Sequence, residues 1–166
     1  MIRPACRDPG QPAPAAKESR GRGKNTQGML GLGVDVVAVS RWRRLWRSYG
    51  DRLAGRVFAP EELAECRGRH APERLAARWA GKEAVAKALG CRPGSWRDVV
   101  IQRGADGVPR VLLRGAWVEA ARARGIRCWH ISLTHEKAVA VAVAVALGGD
   151  SSGGTGPAYG GAVGQA

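Results

Sequence analysis

Two acidic residues, Asp35 and Glu83, occupy positions where local structure disfavours a charge. Asp35 lies within an alternating segment, residues 30–37, that predicts a strand, although aspartate is depleted from strands. Glu83 lies on a predicted helix in the same stripe as Leu75 and Trp79, where a helix normally presents apolar side chains. Two acids in such positions, in a chain rich in lysine and arginine, indicate a site for a metal ion and a phosphate.

Two lysines, Lys82 and Lys87, flank Glu83 on the predicted helix. Magnesium uses one or two protein carboxylates, keeps several waters and fills its remaining positions with substrate phosphates. The lysines would then neutralise phosphate charge. Two plainer interpretations stay open: Asp35 could be a solvent-facing residue near a strand end, and Glu83 with Lys87 could be an ordinary i,i+4 helix pair.

The histidines, cysteines and glycines favour no other active-site chemistry. The three histidines, His70, His130 and His135, form no Ser/His/Asp or Cys/His arrangement, and His135 falls in a predicted hairpin turn. The four cysteines form no CxxC pair or Cys/His cluster, so neither a zinc site nor a disulfide framework is indicated, and we expect a reduced, cytoplasmic protein. There is no P-loop, and Gly31 and Gly33 do not open a helix, so a dinucleotide-binding fingerprint is excluded.

The chain is strongly basic, with 27 Lys and Arg against 14 Asp and Glu and a net charge of +13. Residues 1–27 contain six basic and two acidic side chains and residues 148–166 one aspartate, which leaves a net charge of +10 on residues 28–147. A domain this basic predicts an anionic partner: nucleic acid, a membrane surface, a phosphorylated cofactor or an acidic protein. No segment approaches the roughly 20 apolar residues of a membrane span and no signal peptide is evident, so we expect neither membrane insertion nor export.

A short basic helix is predicted at residues 41–49, and its segment Arg41–Arg47 mixes arginines with tryptophans. This mixture suits a contact with RNA or DNA, and it also suits an acidic helix of a partner protein. In a third interpretation the arginines form a solvated face while Trp42 and Trp46 pack into the core.

The remaining elements are short and well punctuated, and they predict an α+β fold because strands and helices alternate without regular βαβ units. The last strand is apolar on both faces, which is typical of a central strand or of one at a subunit interface. One domain is expected over residues 29–148, between a disordered basic extension (1–28) and a disordered Gly/Ser-rich tail (149–166). We expect a chain that starts at Met29 to fold and stay active. The predicted elements are a strand at 30–37, helices at 41–49, from 60 onward, 72–89 and 115–124, and hairpins formed by 98–103 with 108–113 and by 127–133 with 137–147.

Taken in order, these segments resemble the holo-acyl-carrier-protein synthase family of small phosphopantetheinyl transferases. The resemblance covers about residues 29–147, in the family's order and spacing. The chain departs from the family pattern at Cys91-Arg92-Pro93-Gly94, where Gly-Thr-Gly is usual, so the resemblance leaves open the coenzyme A contacts there. The matching segments are Gly31–Val37 followed by Arg41, Phe58 with Glu62, Arg78–Gly90, Gly107–Pro109 and Ile131–Glu136.

The resemblance implies an enzyme that transfers 4′-phosphopantetheine from coenzyme A to a serine of an apo acyl carrier protein, releasing adenosine 3′,5′-bisphosphate. It implies the 4′-phosphopantetheinyl transferase-like fold, an antiparallel sheet packed with helices, and a homotrimer with sites between subunits. Asp35 and Glu83 match the family's magnesium ligands, and Lys87 matches a lysine near the transferring phosphate. Lys82 and His135 match residues that line the coenzyme A cleft.

The same resemblance implies that the carrier docks on the helix that contains Arg41 and Arg44, which would meet an acidic carrier. Glu83, or a metal-bound water that it holds, is the candidate base for the serine proton. Two other functions stay open. One is a non-catalytic basic domain that binds nucleic acid, which would leave Asp35 and Glu83 without a role. The other is a degenerate family member that binds coenzyme A or a carrier without turnover.

Overall fold

The computed structural model describes residues 28–148. The predicted extension and tail lie outside these residues, except for Gly28, which is the first residue of a strand. Helices and antiparallel strands are interspersed, which confirms the α+β class. In chain order the elements are β1 (Gly28–Ala38), α1 (Val39–Val57), α2 (Pro60–Glu65), α3 (Ala71–Leu89), a 3-10 turn (Trp96–Asp98), β2 (Val99–Arg103), β3 (Pro109–Leu113), α4 (Ala116–Ala123), β4 (Ile126–His135) and β5 (Val139–Gly148).

The main sheet is antiparallel, with β5 in the middle between β1 and β4, while β2 and β3 form a separate hairpin. Asp35 of β1 lies opposite Ala142, and His135 of β4 lies opposite Ala140. The alanines of β5 are buried, and on the other face Val141, Val143 and Val145 are half-buried. This arrangement confirms that the strand which is apolar on both faces is the central one.

Helix α3 lies directly against β1 because glycines leave room for its backbone. A Cβ atom added at Gly33 would stand 1.9 Å from the carbonyl oxygen of Ala84, and one at Gly31 would stand 2.0 Å from that of Ala88. Neither distance is compatible with any side chain larger than hydrogen. The close approach brings the last two turns of α3 beside the middle of β1, where Asp35 lies.

Helix α1 is longer than predicted, because it continues after a kink at Gly50, where φ is +45°. Leu53, Ala54 and Val57 follow the kink and pack into the core, which stabilises the second half of the helix. Trp42 is buried and Trp46 partly buried against the same cluster. The tryptophans therefore belong to the core, as one of the three interpretations of this segment required. Within residues 28–148, no helix is both long and apolar enough to span a membrane.

Four tryptophans form a continuous row of ring contacts through the core. Trp42 stacks on Trp79 with ring centroids 6.1 Å apart, Trp79 meets Trp96 edge-on at 4.9 Å, and Trp96 lies 5.7 Å from Trp117. Trp96 packs against both of the apolar clusters that make up the core. The row therefore links α1, α3, the 3-10 turn and α4.

Candidate active site

Asp35 and Lys87 meet at the contact between β1 and α3. The Lys87 ammonium donates to the Asp35 carboxylate at 2.8 Å and to the carbonyl oxygen of Val34 at 2.7 Å. The Asp35 side chain is 17% exposed and the Lys87 side chain 51%. Lys87 therefore bridges helix and strand while half of its side chain remains open to solvent. The structure records no Glu83–Lys87 ion pair among residues 28–148, so the plain helix-pair interpretation does not describe this lysine.

Glu83 is a half-buried carboxyl with no recorded hydrogen bond or ion pair in the described part of the chain. Burial raises its pKa, the Asp35 charge raises it further, and the positive charges of Lys87 and Arg92 oppose both effects. The Asp35 charge acts on Glu83, and no donor in the described residues binds the Glu83 carboxylate. A cation bound near both acids would offset this repulsion. The described residues hold no cluster of three or more His, Cys, Asp or Glu side chains suited to a metal. A pair of acids fits magnesium, which completes its shell with water and phosphate oxygens.

Lys82, the neighbour of Glu83 in sequence, points into the core. Its ammonium donates to Glu62 at 2.7 Å, to the carbonyl oxygen of Trp96 at 2.9 Å and to that of Val99, and its side chain has no exposed surface. This differs from the expectation that Lys82 lines the coenzyme A cleft. Consecutive residues of an α-helix point about 100° apart, so Lys82 faces the core while Glu83 is half-buried on another side of α3.

The Glu62 carboxylate, near the start of α2, also accepts two backbone hydrogen bonds. It bonds the backbone N–H of Ala59 at 2.9 Å as part of a helix cap and the N–H of Ile101 in β2 at 3.0 Å. Burial raises the pKa of Glu62 and lowers that of Lys82, and in each case the charge of the partner opposes the shift. The pair is thus a fully hydrogen-bonded buried network that joins α2, α3 and β2.

His135 is exposed at the end of β4, rather than in the turn that the sequence predicted. It lines a cleft of about 720 Å³ together with Arg74, Arg78 and Arg103. Asp35 lies two strands away, on the order of 10 Å across the sheet, on the opposite flank of α3. A single chain therefore does not bring its acid pair and His135 into one cleft.

The sheet face that points away from α3 is apolar and open. On β1 the exposed fractions are 55% for Leu32, 46% for Val34 and 60% for Val36. These side chains lie opposite Val145, Val143 and Val141 of β5, which are half-buried. A continuous exposed apolar face of this kind is typical of an interaction surface.

The basic face of α1 begins directly after β1, a few residues from Asp35. Arg41 and Arg44 are exposed, and no acidic side chain of residues 28–148 is recorded as pairing with either. Arg43, between them, forms an ion pair with Glu73 of α3. Arg41 and Arg44 therefore keep their charges available to a partner.

Arg92 is a basic residue near Glu83 to which the sequence patterns assigned no role. It follows the end of α3 at Gly90, and its guanidinium carbon lies 5.2 Å from the centroid of the Trp96 ring. The Arg92 guanidinium is positioned by a tryptophan of the row described above, so no local sequence motif predicts where it lies. The departure from Gly-Thr-Gly at this segment was the available signal.

Comparison with known proteins identifies the family. The model of the 4′-phosphopantetheinyl transferase superfamily matches residues 31–145. A holo-[acyl-carrier-protein] synthase from Frankia alni is 47% identical over 120 residues, covering 71% of this chain and 97% of the relative. One from Anaeromyxobacter sp. is 44% identical over 125 residues, covering 72% and 97%.

Solved structures show the same fold. The holo-[acyl-carrier-protein] synthase of Neisseria meningitidis superimposes with a TM-score of 0.67 at 34% identity, covering 72% of this chain and 98% of that one. The Helicobacter pylori enzyme in complex with coenzyme A gives a TM-score of 0.62 at 25% identity, covering 69% and 98%. The family match covers residues 31–145, which is most of the described chain. With the α+β architecture, it shows that the chain belongs to the 4′-phosphopantetheinyl transferase superfamily.

Proposed function

We propose that this protein is a holo-[acyl-carrier-protein] synthase, which transfers 4′-phosphopantetheine from coenzyme A to a serine of an apo acyl carrier protein and releases adenosine 3′,5′-bisphosphate. Relatives with this activity support it, and this chain covers nearly the whole length of each. The structural observation that supports it is the Lys87–Asp35 ion pair across the β1–α3 contact, near enough to Glu83 for the Asp35 charge to raise the pKa of Glu83. Two acids and a half-exposed lysine are the groups that a pyrophosphate substrate with a divalent cation requires.

Asp35 and Glu83 are the residues that would hold magnesium. When bound there, the ion would neutralise charge that builds up on the phosphate oxygens during transfer. Lys87 keeps the Asp35 carboxylate turned toward the helix through its 2.8 Å hydrogen bond. Since half of the lysine side chain is exposed, its remaining N–H groups can also bind an oxygen of the transferring phosphate.

Glu83 is the candidate general base. The serine oxygen of the carrier attacks the β-phosphorus of coenzyme A, the bond from that phosphorus to the bridging oxygen breaks, and adenosine 3′,5′-bisphosphate leaves with that oxygen. The serine proton passes to Glu83, directly or through a water.

We further propose that the active protein is a homotrimer with coenzyme A bound between subunits. Two observations support this assembly: the acid pair and the cleft of His135 lie on opposite flanks of α3, and one sheet face exposes Leu32, Val34 and Val36. A neighbouring copy that covers this face would remove apolar surface from water. The site would be complete where the His135 cleft of one copy adjoins the acid pair of another.

The carrier protein is proposed to dock on α1 through Arg41 and Arg44. Carrier proteins of this kind are acidic, and a net charge of +10 on residues 28–147 provides electrostatic complementarity. We place the reaction in the cytoplasm, a compartment that suits the free thiols of Cys66 and Cys128.

A direct assay tests the proposed function. The full chain is incubated with coenzyme A, magnesium and an apo acyl carrier protein, and the carrier is examined by intact-mass spectrometry. We expect the mass of one phosphopantetheine arm on the carrier serine, and none when that serine is replaced by alanine. If coenzyme A binds but no arm is transferred by the wild type, the protein is a binding module; if nucleic acid binds instead, the transferase proposal is wrong.

A further inference from the structure

Trp96 offers a rigid aromatic surface in contact with Trp79, which stands one helical turn before Glu83. Its ring is held by Trp79 at 4.9 Å and by Trp117 at 5.7 Å, and its carbonyl oxygen accepts a hydrogen bond from the buried Lys82 ammonium. The neighbouring Ser95 carbonyl accepts the indole N–H of Trp117 at 2.9 Å. Contacts on both ring and backbone fix the orientation of this indole, whose partly exposed surface remains open to a ligand or a side chain.

The guanidinium of Arg92 lies on this surface, 5.2 Å from the ring centroid. Stacking on an aromatic ring fixes the plane of an arginine without using its N–H groups, which stay available for a planar bidentate contact. Arg92 is exposed, and within the part of the chain that the structure describes no carboxylate pairs with it. By contrast, Arg78 and Arg114 each form an ion pair at 2.5 Å.

Arg92 also lies on the side of α3 that carries Glu83. Trp79, on which Trp96 rests, stands one helical turn before Glu83, and the positive charge of Arg92 acts on the Glu83 carboxyl. The guanidinium is thus close enough for its charge to act on Glu83, and it forms no ion pair with either acid in the described residues. A preorganised cation in this position suits an anion that occupies the site together with the acids.

We propose that Arg92, held on the Trp96 ring, binds a phosphate group of coenzyme A. This inference rests on the proposed function and adds a substrate-binding residue from the segment in which this chain departs from the family pattern. Coenzyme A carries phosphate at two places, the pyrophosphate and the 3′ position. Both present the same recognition chemistry to a guanidinium, and the experiment separates them.

The test measures equilibrium binding of coenzyme A to the full chain by titration calorimetry, for the wild type, Arg92→Gln and a control, Arg97→Gln. Arg97 is an exposed arginine of the adjacent 3-10 turn whose side chain has no recorded ion pair in residues 28–148. Arg92→Gln should raise the Kd for coenzyme A by about tenfold or more, as loss of a charge-assisted hydrogen bond does. Arg97→Gln, which removes the same charge, should stay within about twofold.

Two further measurements make the assignment specific. Trp96→Phe keeps a smaller ring and should weaken binding less than Arg92→Gln does. With 3′-dephospho-coenzyme A as the probe, an unchanged effect of Arg92→Gln assigns the arginine to the pyrophosphate, and a vanished effect assigns it to the 3′-phosphate. In the transfer assay, Arg92→Gln should raise the KM for coenzyme A while kcat at saturating coenzyme A changes little.

The outcomes separate this inference from the proposed function. A wild type that binds coenzyme A, together with an Arg92→Gln variant that binds it equally well, overturns the role of Arg92 and leaves the transferase proposal standing. Equal weakening by Arg92→Gln and Arg97→Gln also overturns it, because the effect would then be one of general charge. A wild type that does not bind coenzyme A overturns both.

Discussion

The Lys87 ammonium binds the Asp35 carboxylate at 2.8 Å across the contact between α3 and β1, not the Glu83 carboxylate one turn away on its own helix. The contact joins residues 52 positions apart. It leaves Glu83 half-buried beside a second acid, with its pKa raised by burial and by Asp35. The candidate site therefore has a paired acid and an unpaired one, which the following predictions test.

Asp35 and Glu83 should act as one unit. Asp35→Asn and Glu83→Gln keep the side-chain shape but remove the charges that would hold a divalent cation, so each should lower turnover by at least about a hundredfold. The double variant should be hardly slower than either single one, because groups that act together are not additive. A chelator should inactivate the wild type, and magnesium should restore it. Glu119→Gln, at an exposed acid of α4, serves as the control; near-normal activity of either site variant would remove the metal assignment.

The difference in stability between Glu83→Gln and the wild type should depend on pH in a defined direction. Because the pKa of Glu83 is raised in the folded state, its ionisation at neutral pH costs stability, and the folded protein loses stability as the pH rises from the unfolded pKa to the folded one. In a chelator, at pH 7, the variant should melt at the same temperature as the wild type or above it. The difference should disappear below about pH 4, where glutamate is protonated in both states. A variant that melts lower at pH 7 and equally at pH 4 would show that the Glu83 charge is stabilising instead.

The α1 arginines should act on the carrier and not on coenzyme A. Reversing Arg41 and Arg44 to glutamate should raise the KM for an acidic carrier by about tenfold or more while that for coenzyme A changes little, and added salt should reproduce the effect in the wild type. The same reversal at the exposed residues Arg67 and Arg69 provides the control. Equal losses for both substrates would mean that the arginines of α1 serve the structure. Tight, salt-sensitive binding of nucleic acid without transfer would favour the nucleic-acid-binding alternative.

Gly33 should tolerate no side chain. A Cβ there would stand 1.9 Å from the Ala84 carbonyl oxygen and 2.7 Å from the Ala88 nitrogen, both backbone atoms of α3. Gly33→Ala should therefore force the helix away from β1, cost about 1–3 kcal/mol of unfolding free energy and lower kcat by separating Glu83 from Asp35. Gly55→Ala in α1 has no atom within 4 Å of the added carbon and should be neutral or stabilising. If Gly33→Ala melts like the wild type, the helix–strand contact is looser than described.

The Glu62–Lys82 pair should behave as structure and not as a phosphate site. Glu62→Gln leaves a buried ammonium without its counter-charge and should destabilise the protein by about 3–5 kcal/mol in chemical denaturation. Replacing both residues together, Glu62→Leu with Lys82→Met, should cost less than the sum of the single changes. If instead Lys82→Met leaves stability intact and raises only the KM for coenzyme A, the lysine contacts the substrate and the present assignment is wrong.

The α+β class, the two hairpins, the helix ending before Gly90 and the central place of the last strand could all be predicted from the sequence. Each depends on local patterns: the alternation of Val and Ala in β5, the glycine that ends α3, and the turn residues between strands. Asp35 and Glu83 could be singled out because a charge at an apolar position contradicts its own local pattern. The structure then brings them near enough for the Asp35 charge to raise the pKa of Glu83.

Tertiary packing decided which partners are contacted by the basic side chains near Glu83. Lys82 and Lys87 have the same chemistry and flank the same acid, yet one is buried against Glu62 and the other reaches Asp35. Arg92 rests on Trp96 only because the row of tryptophans holds that ring in place. A long side chain can reach partners that are near in space and far in sequence, and the available acceptor is created when α3 docks on β1 and α2. Periodicity records which face of an element is apolar, and it contains no information on which buried carboxylate will meet a given lysine.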